Sequence, residues 1–170
     1  ADNGGGTAGV NKHMEFGIER TELSTLARGA CVHWAPPGTN SKLVAQIVRQ
    51  LPSVSKGKVL IAYGDPDAGE IGTIYQACGW TYIGTTNASK HEVLSPMGRV
   101  YNTATVGSWG RKRGISYKKM WAALQKDGWV AQASSPKHKY VAQLDRSDDR
   151  LAGVLRRMAK PYPKRAREAE

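Results

Sequence analysis

Two side chains able to move protons follow one apolar run of strand length. Residues 58–64 form that run and predict a buried, central β-strand. Asp65 comes directly after it, at the strand end where α/β sheets place their ligands. Tyr75 follows on a short predicted helix, and a phenol with a pKa of about 10 can protonate a leaving group of similar basicity. The sequence therefore predicts Tyr75 as a general acid and Asp65 as a general base for an amine.

Each of these residues also has an ordinary structural interpretation. Asp65 precedes Pro66, and Asp-Pro is typical of a turn or a helix N-cap. Tyr75 is also compatible with a core residue that packs inward from an amphipathic helical turn. Asp67 and Glu70, in the loop between them, are typical of solvated charges.

Standard catalytic motifs are absent from the sequence. It has no G-x-x-x-x-G-K-S/T phosphate loop, no H-E-x-x-H and no G-x-S-x-G. Cys31 and His33 lie close together, but zinc needs three or four ligands and no second pair is near. The two cysteines are too few for a disulfide framework and indicate reduced thiols in a cytosolic protein.

The elements that must position these residues are predicted from periodicity and turn chemistry. Residues 1–12 are polar and glycine-rich and predict a flexible leader. Before and around the apolar strand, the patterns predict a half-buried strand at 14–23, a helix at 39–51 ended by Pro52, a helix at 73–79 capped by Gly79, and a strand at 80–86.

The second half of the chain is richer in glycine and in basic residues. Its patterns predict a long basic loop over 87–114 with one strand, a helix at 116–128, strands at 129–134 and 138–144 around a turn, and a helical tail that ends as a basic extension. Strands that alternate with helices place the chain in the α/β (α+β) class, with a mixed central sheet flanked by helices.

Lys and Arg number 25 against 14 Asp and Glu, which gives a formal net charge of +11. Such an excess predicts a polyanionic partner such as nucleic acid or coenzyme phosphates. For a nucleic acid, the expected contacts to its phosphates are Arg111, Lys112, Arg113, Lys118, Lys119, Arg156, Arg157, Lys164 and Arg165. Trp109 is predicted to stack on a base extruded from the duplex. No apolar run is long enough to span a membrane, so no membrane partner is expected.

The segment Ile74-Tyr75-Gln76-Ala77-Cys78-Gly79-Trp80 resembles a signature of the GCN5-related N-acetyltransferases, the GNAT superfamily. The resemblance implies that Tyr75 lies near the sulfur of coenzyme A and that Gly79 turns the chain into the next strand. It also implies that the N-terminus of helix 39–51 receives the pyrophosphate, with Thr39, Asn40, Ser41, Lys42 and Gly72 in the coenzyme site. Helix N-termini suit such anions. The usual glycine-rich loop is replaced here by Pro36-Pro37-Gly38-Thr39-Asn40-Ser41-Lys42.

A narrower resemblance rests on several segments taken together. The strand end Tyr63-Gly64-Asp65, the block 72–77, the later stretch 136–140 and the residues 162–164 look like the bacteriophage Mom family. This resemblance implies a phage-encoded cytoplasmic transferase that acts on double-stranded DNA. The transferase is expected to add a carbamoylmethyl (acetamido) group to the exocyclic amino group of adenine and so to protect the DNA against restriction. Acetyl-CoA or a related acyl donor is the implied cofactor, and iron bound through Asp65 is an alternative role for that residue.

The resemblance also predicts the domain organisation. A GNAT-like domain is expected over 13–145, followed by a basic helix and extension over 146–170. Because about a dozen residues precede the first predicted strand, the usual N-terminal hairpin is expected to be absent, or supplied by a missing segment or a partner chain. Two other functions stay open: acetylation of a small amine or protein, and non-catalytic binding of nucleic acid within a larger assembly.

Overall fold

The computed structural model describes residues 12–27, 32–87 and 89–164, and Arg165 and Cys31 lie outside them. In chain order the elements are α1 (Lys12–Phe16), β1 (Leu23–Leu26), α2 (Thr39–Val54), β2 (Val59–Gly64), α3 (Thr73–Ala77), β3 (Thr81–Thr85), β4 (Ser89–Leu94), β5 (Val100–Asn102), α4 (Thr103–Lys112), α5 (Tyr117–Lys126), β6 (Val130–Ser134), β7 (His138–Gln143) and α6 (Asp149–Met158). The predicted α+β class is confirmed.

The chain divides into two compact units: residues 1–86 with 137–170 (unit 1), and residues 87–136 (unit 2). Unit 1 contains a four-stranded sheet in the order β1-β2-β7-β3. β1 and β2 are parallel, as expected for strands joined through a helix, and the other pairs are antiparallel. β1 and β3 are the edge strands of this sheet, so the predicted completing strand would pair with one of them; that partner stays a prediction.

The sheet of unit 1 has a core on each face because successive side chains of β2 point to opposite sides. Val59 and Ile61 pack with Phe16 of α1 and Leu151 of α6. Leu60 and Ala62 pack on the other face, with side chains of α2 and α3 and with Tyr140 and Trp80.

The predicted strand at 14–23 is wrong. α1 occupies its first part, Gly17 follows with φ +63°, and a 3₁₀ turn at Arg20–Glu22 leads into β1. A strand would place Met14 and Phe16 on the same buried face. Phe16 is buried, but the Met14 side chain is 70% exposed, so the two do not share a buried face. A short helix and a strand can share such a brief alternating pattern.

Pro52 does not end α2, which continues to Val54. Proline removes one amide donor from the helix, yet the N–H of Ser55 still donates to the carbonyl of Leu51 at 3.0 Å. The last turn of α2 therefore keeps this hydrogen bond although it contains Pro52.

Unit 2 contains an antiparallel sheet in the order β5-β4-β6 together with α4 and α5. The basic loop predicted over 87–114 is wrong, because this stretch forms β4 and α4. The one strand predicted within it is confirmed as β5. The side chain of Asn102 accepts the N–H of Ala104 at 2.7 Å and caps α4. Of the two glycines within α4 that suggested a loop, Gly110 lies in close contact with Met120 of α5.

β6 and β7 do not form a hairpin, although a turn-like sequence joins them. β6 pairs with β4 in unit 2, whereas β7 lies between β2 and β3 in unit 1. None of the described helices has the length and apolar character needed to span a lipid bilayer.

Candidate functional site

A recess of about 360 Å³ lies in unit 1 at the carboxyl end of β2. It opens where β1 ends at Leu26 while β2 continues to Gly64, and it is bounded by α2 and α3. Its wall includes Asn40, Glu70, Gly72 and Tyr75. Three of the predicted site residues, Asn40, Gly72 and Tyr75, are therefore brought together, at the position where α/β sheets bind ligands.

Tyr75 is half-buried on α3 and is held by aromatic contacts. Its ring centroid lies 5.1 Å from that of Trp80 and 5.3 Å from that of Tyr140. Burial raises the pKa of the Tyr75 phenol, and the negative charge of Glu70 raises it further. The phenol therefore keeps its proton at neutral pH, as a general acid must.

The loop that leads into α3 is shaped around Tyr140, a fully buried residue of β7. The Tyr140 hydroxyl donates to the carbonyl of Ile71 and accepts from Gln76 Nε2 at 3.1 Å. Gly72 has φ +72°, and a Cβ placed on it would lie 2.2 Å from the Tyr140 ring. Only glycine fits this point of the recess wall.

Asp65 is occupied by structural contacts. Its carboxylate forms an ion pair with Lys137 Nζ at 2.6 Å and accepts the N–H of Asp67 at 3.2 Å. The cap interpretation of Asp65 is thus confirmed, and its role as a base stays a prediction. Glu70 is more than a solvated charge, because it accepts the N–H of Asp65 at 3.1 Å and lines the recess.

Four of the five predicted coenzyme residues, Thr39, Asn40, Ser41 and Lys42, lie on the first turn of α2. Gly38 occupies the N-cap and supplies no side-chain cap, and the N–H of Thr39 donates to the carbonyl of Pro36 at 3.2 Å. The Thr39 hydroxyl donates to the same carbonyl at 2.7 Å, and the carbonyl of Ser41 accepts from Cys78 Sγ at 3.3 Å. Lys42 is exposed. The start of a helix beside a lysine fits an anionic group.

Sequence reasoning missed four residues around this end of the sheet: Tyr82, Lys137, His138 and Tyr140. The Tyr82 hydroxyl and His138 Nδ1 are 3.0 Å apart, and Tyr82 also packs on Tyr140. All are close only because β7 lies between β2 and β3. The stretch 136–140 carries part of the family resemblance. The alternation of apolar and polar residues that begins in it is the sequence signal that indicates a buried strand face.

The predicted DNA contacts are distributed over both units. Trp109, Arg111, Lys112 and Arg113 lie on or just after α4, and Lys118 and Lys119 lie on α5. Trp109 packs edge-on against Tyr101 and Trp129, so it has a structural role; its stacking on a base stays a prediction.

The remaining basic residues belong to unit 1. Arg156 and Arg157 are exposed on the last turn of α6, and Lys164 is exposed beyond it. Arg156 shares a groove of about 490 Å³ with Arg49 and Arg146 at the other end of the sheet from the recess. Within the described residues, no group of three or more His, Cys, Asp or Glu is placed to hold a metal ion.

Burial raises the pKa of Tyr75, Tyr82 and Tyr140 above the ordinary value. A raised pKa in the folded state means that these phenols contribute their full stability below pH of about 10 and lose it as the pH rises through their raised values. We expect the free energy of unfolding, measured with urea, to fall above that pH, and near-ultraviolet phenolate absorbance to show later ionisation in the native protein than in urea. Identical titration curves for native and unfolded protein would contradict the burial.

Fold and recess together define an α+β protein with a candidate ligand site at the end of a parallel strand pair. The chain belongs to the Mom protein family, whose family model matches residues 5–164. A comparison with curated proteins finds no match. The resemblance to this family inferred from the sequence is confirmed.

Proposed function

We propose that this member of the Mom family transfers a group onto the exocyclic amino group of adenine in phage DNA and so protects that DNA from restriction in the bacterial cytoplasm. The observation that carries the proposal is the family match over residues 5–164. The recess of unit 1 supports it by placing a half-buried tyrosine and the start of α2 around one cavity.

We further propose a GNAT-like acyl transfer. Two features support this proposal: the short helix α3 follows β2 and turns at Gly79 into β3, and α2 precedes β2 with its N-terminus available for the pyrophosphate. Acetyl-CoA or a related donor would supply the acyl group and leave as a thiolate. Residues 39–42 at the start of α2 would hold its phosphates, and Asn40 and Gly72 would line the path into the recess.

The chain's own residues then have distinct tasks. Tyr75 holds a proton at its hydroxyl oxygen, where burial and Glu70 keep it in place, and releases it to the departing sulfur. Asp65, oriented by Lys137, is the proposed acceptor for the proton that the adenine amino group loses. Iron bound by Asp65 is the alternative proposal for this carboxylate.

Nucleoside mass spectrometry tests the proposal. DNA from bacterial cells that express the full chain should contain a modified deoxyadenosine that DNA from matched cells with an empty vector lacks. A soluble, folded product that leaves all adenine unmodified would contradict the function. Turnover of acetyl-CoA on small amines without DNA would instead favour the simpler acetyltransferase, and DNA binding without any turnover would favour a non-catalytic module.

A further inference from the structure

Two helices of equal length in unit 2 are joined by a short turn. α4 and α5 have ten residues each, and residues 113–116 separate them. Gly114 turns the chain at φ +67°, and the Ser116 side chain accepts the N–H of Lys119 to cap α5. A short turn that contains glycine between two helices occurs in αα-hairpins and in the helix-turn-helix.

The two helices pack closely at Gly110. A Cβ on Gly110 would lie 3.0 Å from the carbonyl oxygen of Ile115 and 3.3 Å from Met120 Cβ. Val106, Met120 and Leu124 are buried together with Val93 of β4. The helix pair is thus held from its inner side by a core within unit 2.

The outer side of α5 carries a stripe of exposed residues. Lys118, Ala122 and Gln125 are spaced i, i+4, i+7 and all are exposed, so they lie on one face of the helix. Their side chains are of types that hydrogen-bond guanine, contact the thymine methyl group and hydrogen-bond adenine, respectively.

The positive charge of α4 and α5 indicates an anionic partner. Residues 103–126 contain six Lys and Arg and no Asp or Glu. Within the described part of the chain, none of the six is in an ion pair. Arg111, Lys112 and Arg113 are exposed at the turn between the helices. A surface of this charge and shape complements the phosphates that flank a DNA groove.

We infer that α4 and α5 form a helix-turn-helix that reads duplex DNA, with α5 in the major groove and the basic residues at the turn on the backbone. Lys118, Ala122 and Gln125 face the base edges and set a sequence preference. That the partner is DNA rests on the proposed function. The inference adds that unit 2 sets the DNA sequence preference.

Selection of binding sites from random duplexes by the full chain, followed by sequencing, tests the inference. The wild-type protein should enrich a defined sequence. Gln125→Ala changes no charge and should lower discrimination at one position of that sequence by about 5- to 100-fold, while affinity for unrelated duplexes stays the same. Gln132→Ala makes the same uncharged change at an exposed position of β6, outside the helix pair, so it is the matched control and should keep the preference.

Replacing Arg111, Lys112 and Arg113 with alanine should act differently. Binding to all duplexes should weaken alike, and the slope of log affinity against log salt should flatten by roughly 2–3 units. Circular dichroism establishes that each variant is folded before it is compared.

The inference is overturned if the wild-type chain enriches no sequence, or if a folded Gln125→Ala variant retains the full preference. Modified adenines whose flanking sequences are unchanged in that variant would also overturn it while leaving the proposed function intact. A chain that selects a sequence through α5 but modifies no adenine would uphold the inference and refute the proposed function.

Discussion

Gly72→Ala is expected to lower the free energy of unfolding by about 3 kcal/mol. The alanine would hold φ +72°, which costs roughly 1–2 kcal/mol for a residue with a Cβ. Its Cβ would also lie 2.2 Å from the ring of the fully buried Tyr140, and overpacking of this kind costs roughly 1–3 kcal/mol. Thermal unfolding followed by circular dichroism should show a melting temperature about 6–12 °C lower.

Gly69→Ala is the matched control for this prediction. Gly69 lies in the same loop with the same φ of +72°, but a Cβ there would meet nothing within 4 Å. Its replacement should therefore cost only the backbone component, roughly 1–2 kcal/mol. Equal losses in the two variants would show that Tyr140 does not press against the loop as described.

Tyr75→Phe is expected to reduce adenine modification by about 10²- to 10⁴-fold, the usual contribution of a general acid. The variant keeps the ring that packs on Trp80 and Tyr140, so its melting temperature should change little. Quantification of modified deoxyadenosine, with variant and wild-type chains expressed at equal levels, measures the effect.

Tyr82→Phe also removes a phenol hydroxyl, but from a different ring that packs on Tyr140. It removes the hydrogen bond between Tyr82 and His138 but leaves the proposed proton donor in place. Modification should then remain within a few-fold of wild type. If Tyr75→Phe modifies adenine as well as wild type does, Tyr75 is a core residue and the acid must be another group.

The local patterns of unit 1 were sufficient to predict most of its elements. The apolar run at 58–64 forms β2, and the helix before it and the short helix after it lie where the sequence predicts them. Asn40, Gly72 and Tyr75, which the sequence predicts as site residues, line one recess. These predictions hold because strand burial, helix periodicity and capping depend on residues near one another in the chain.

Predictions failed where distant contacts override local preference. α4 contains Gly107 and Gly110, which disfavour a helix in isolation, yet Gly110 is what allows α4 to approach α5. The turn-like residues after β6 suggested a hairpin, but each flanking strand pairs with strands far away in the sequence.

The sequence by itself determined the α+β class, the excess of positive charge and the family, because composition and short motifs carry these. Tertiary structure alone decided that Tyr140 shapes the loop at Gly72, that Lys137 holds Asp65, and that the basic stretch 111–113 closes a helix pair. The reason is physical: β7 pairs with β2 and β3 across the intervening unit of residues 87–136, and no local pattern encodes a pairing between strands so far apart in the sequence.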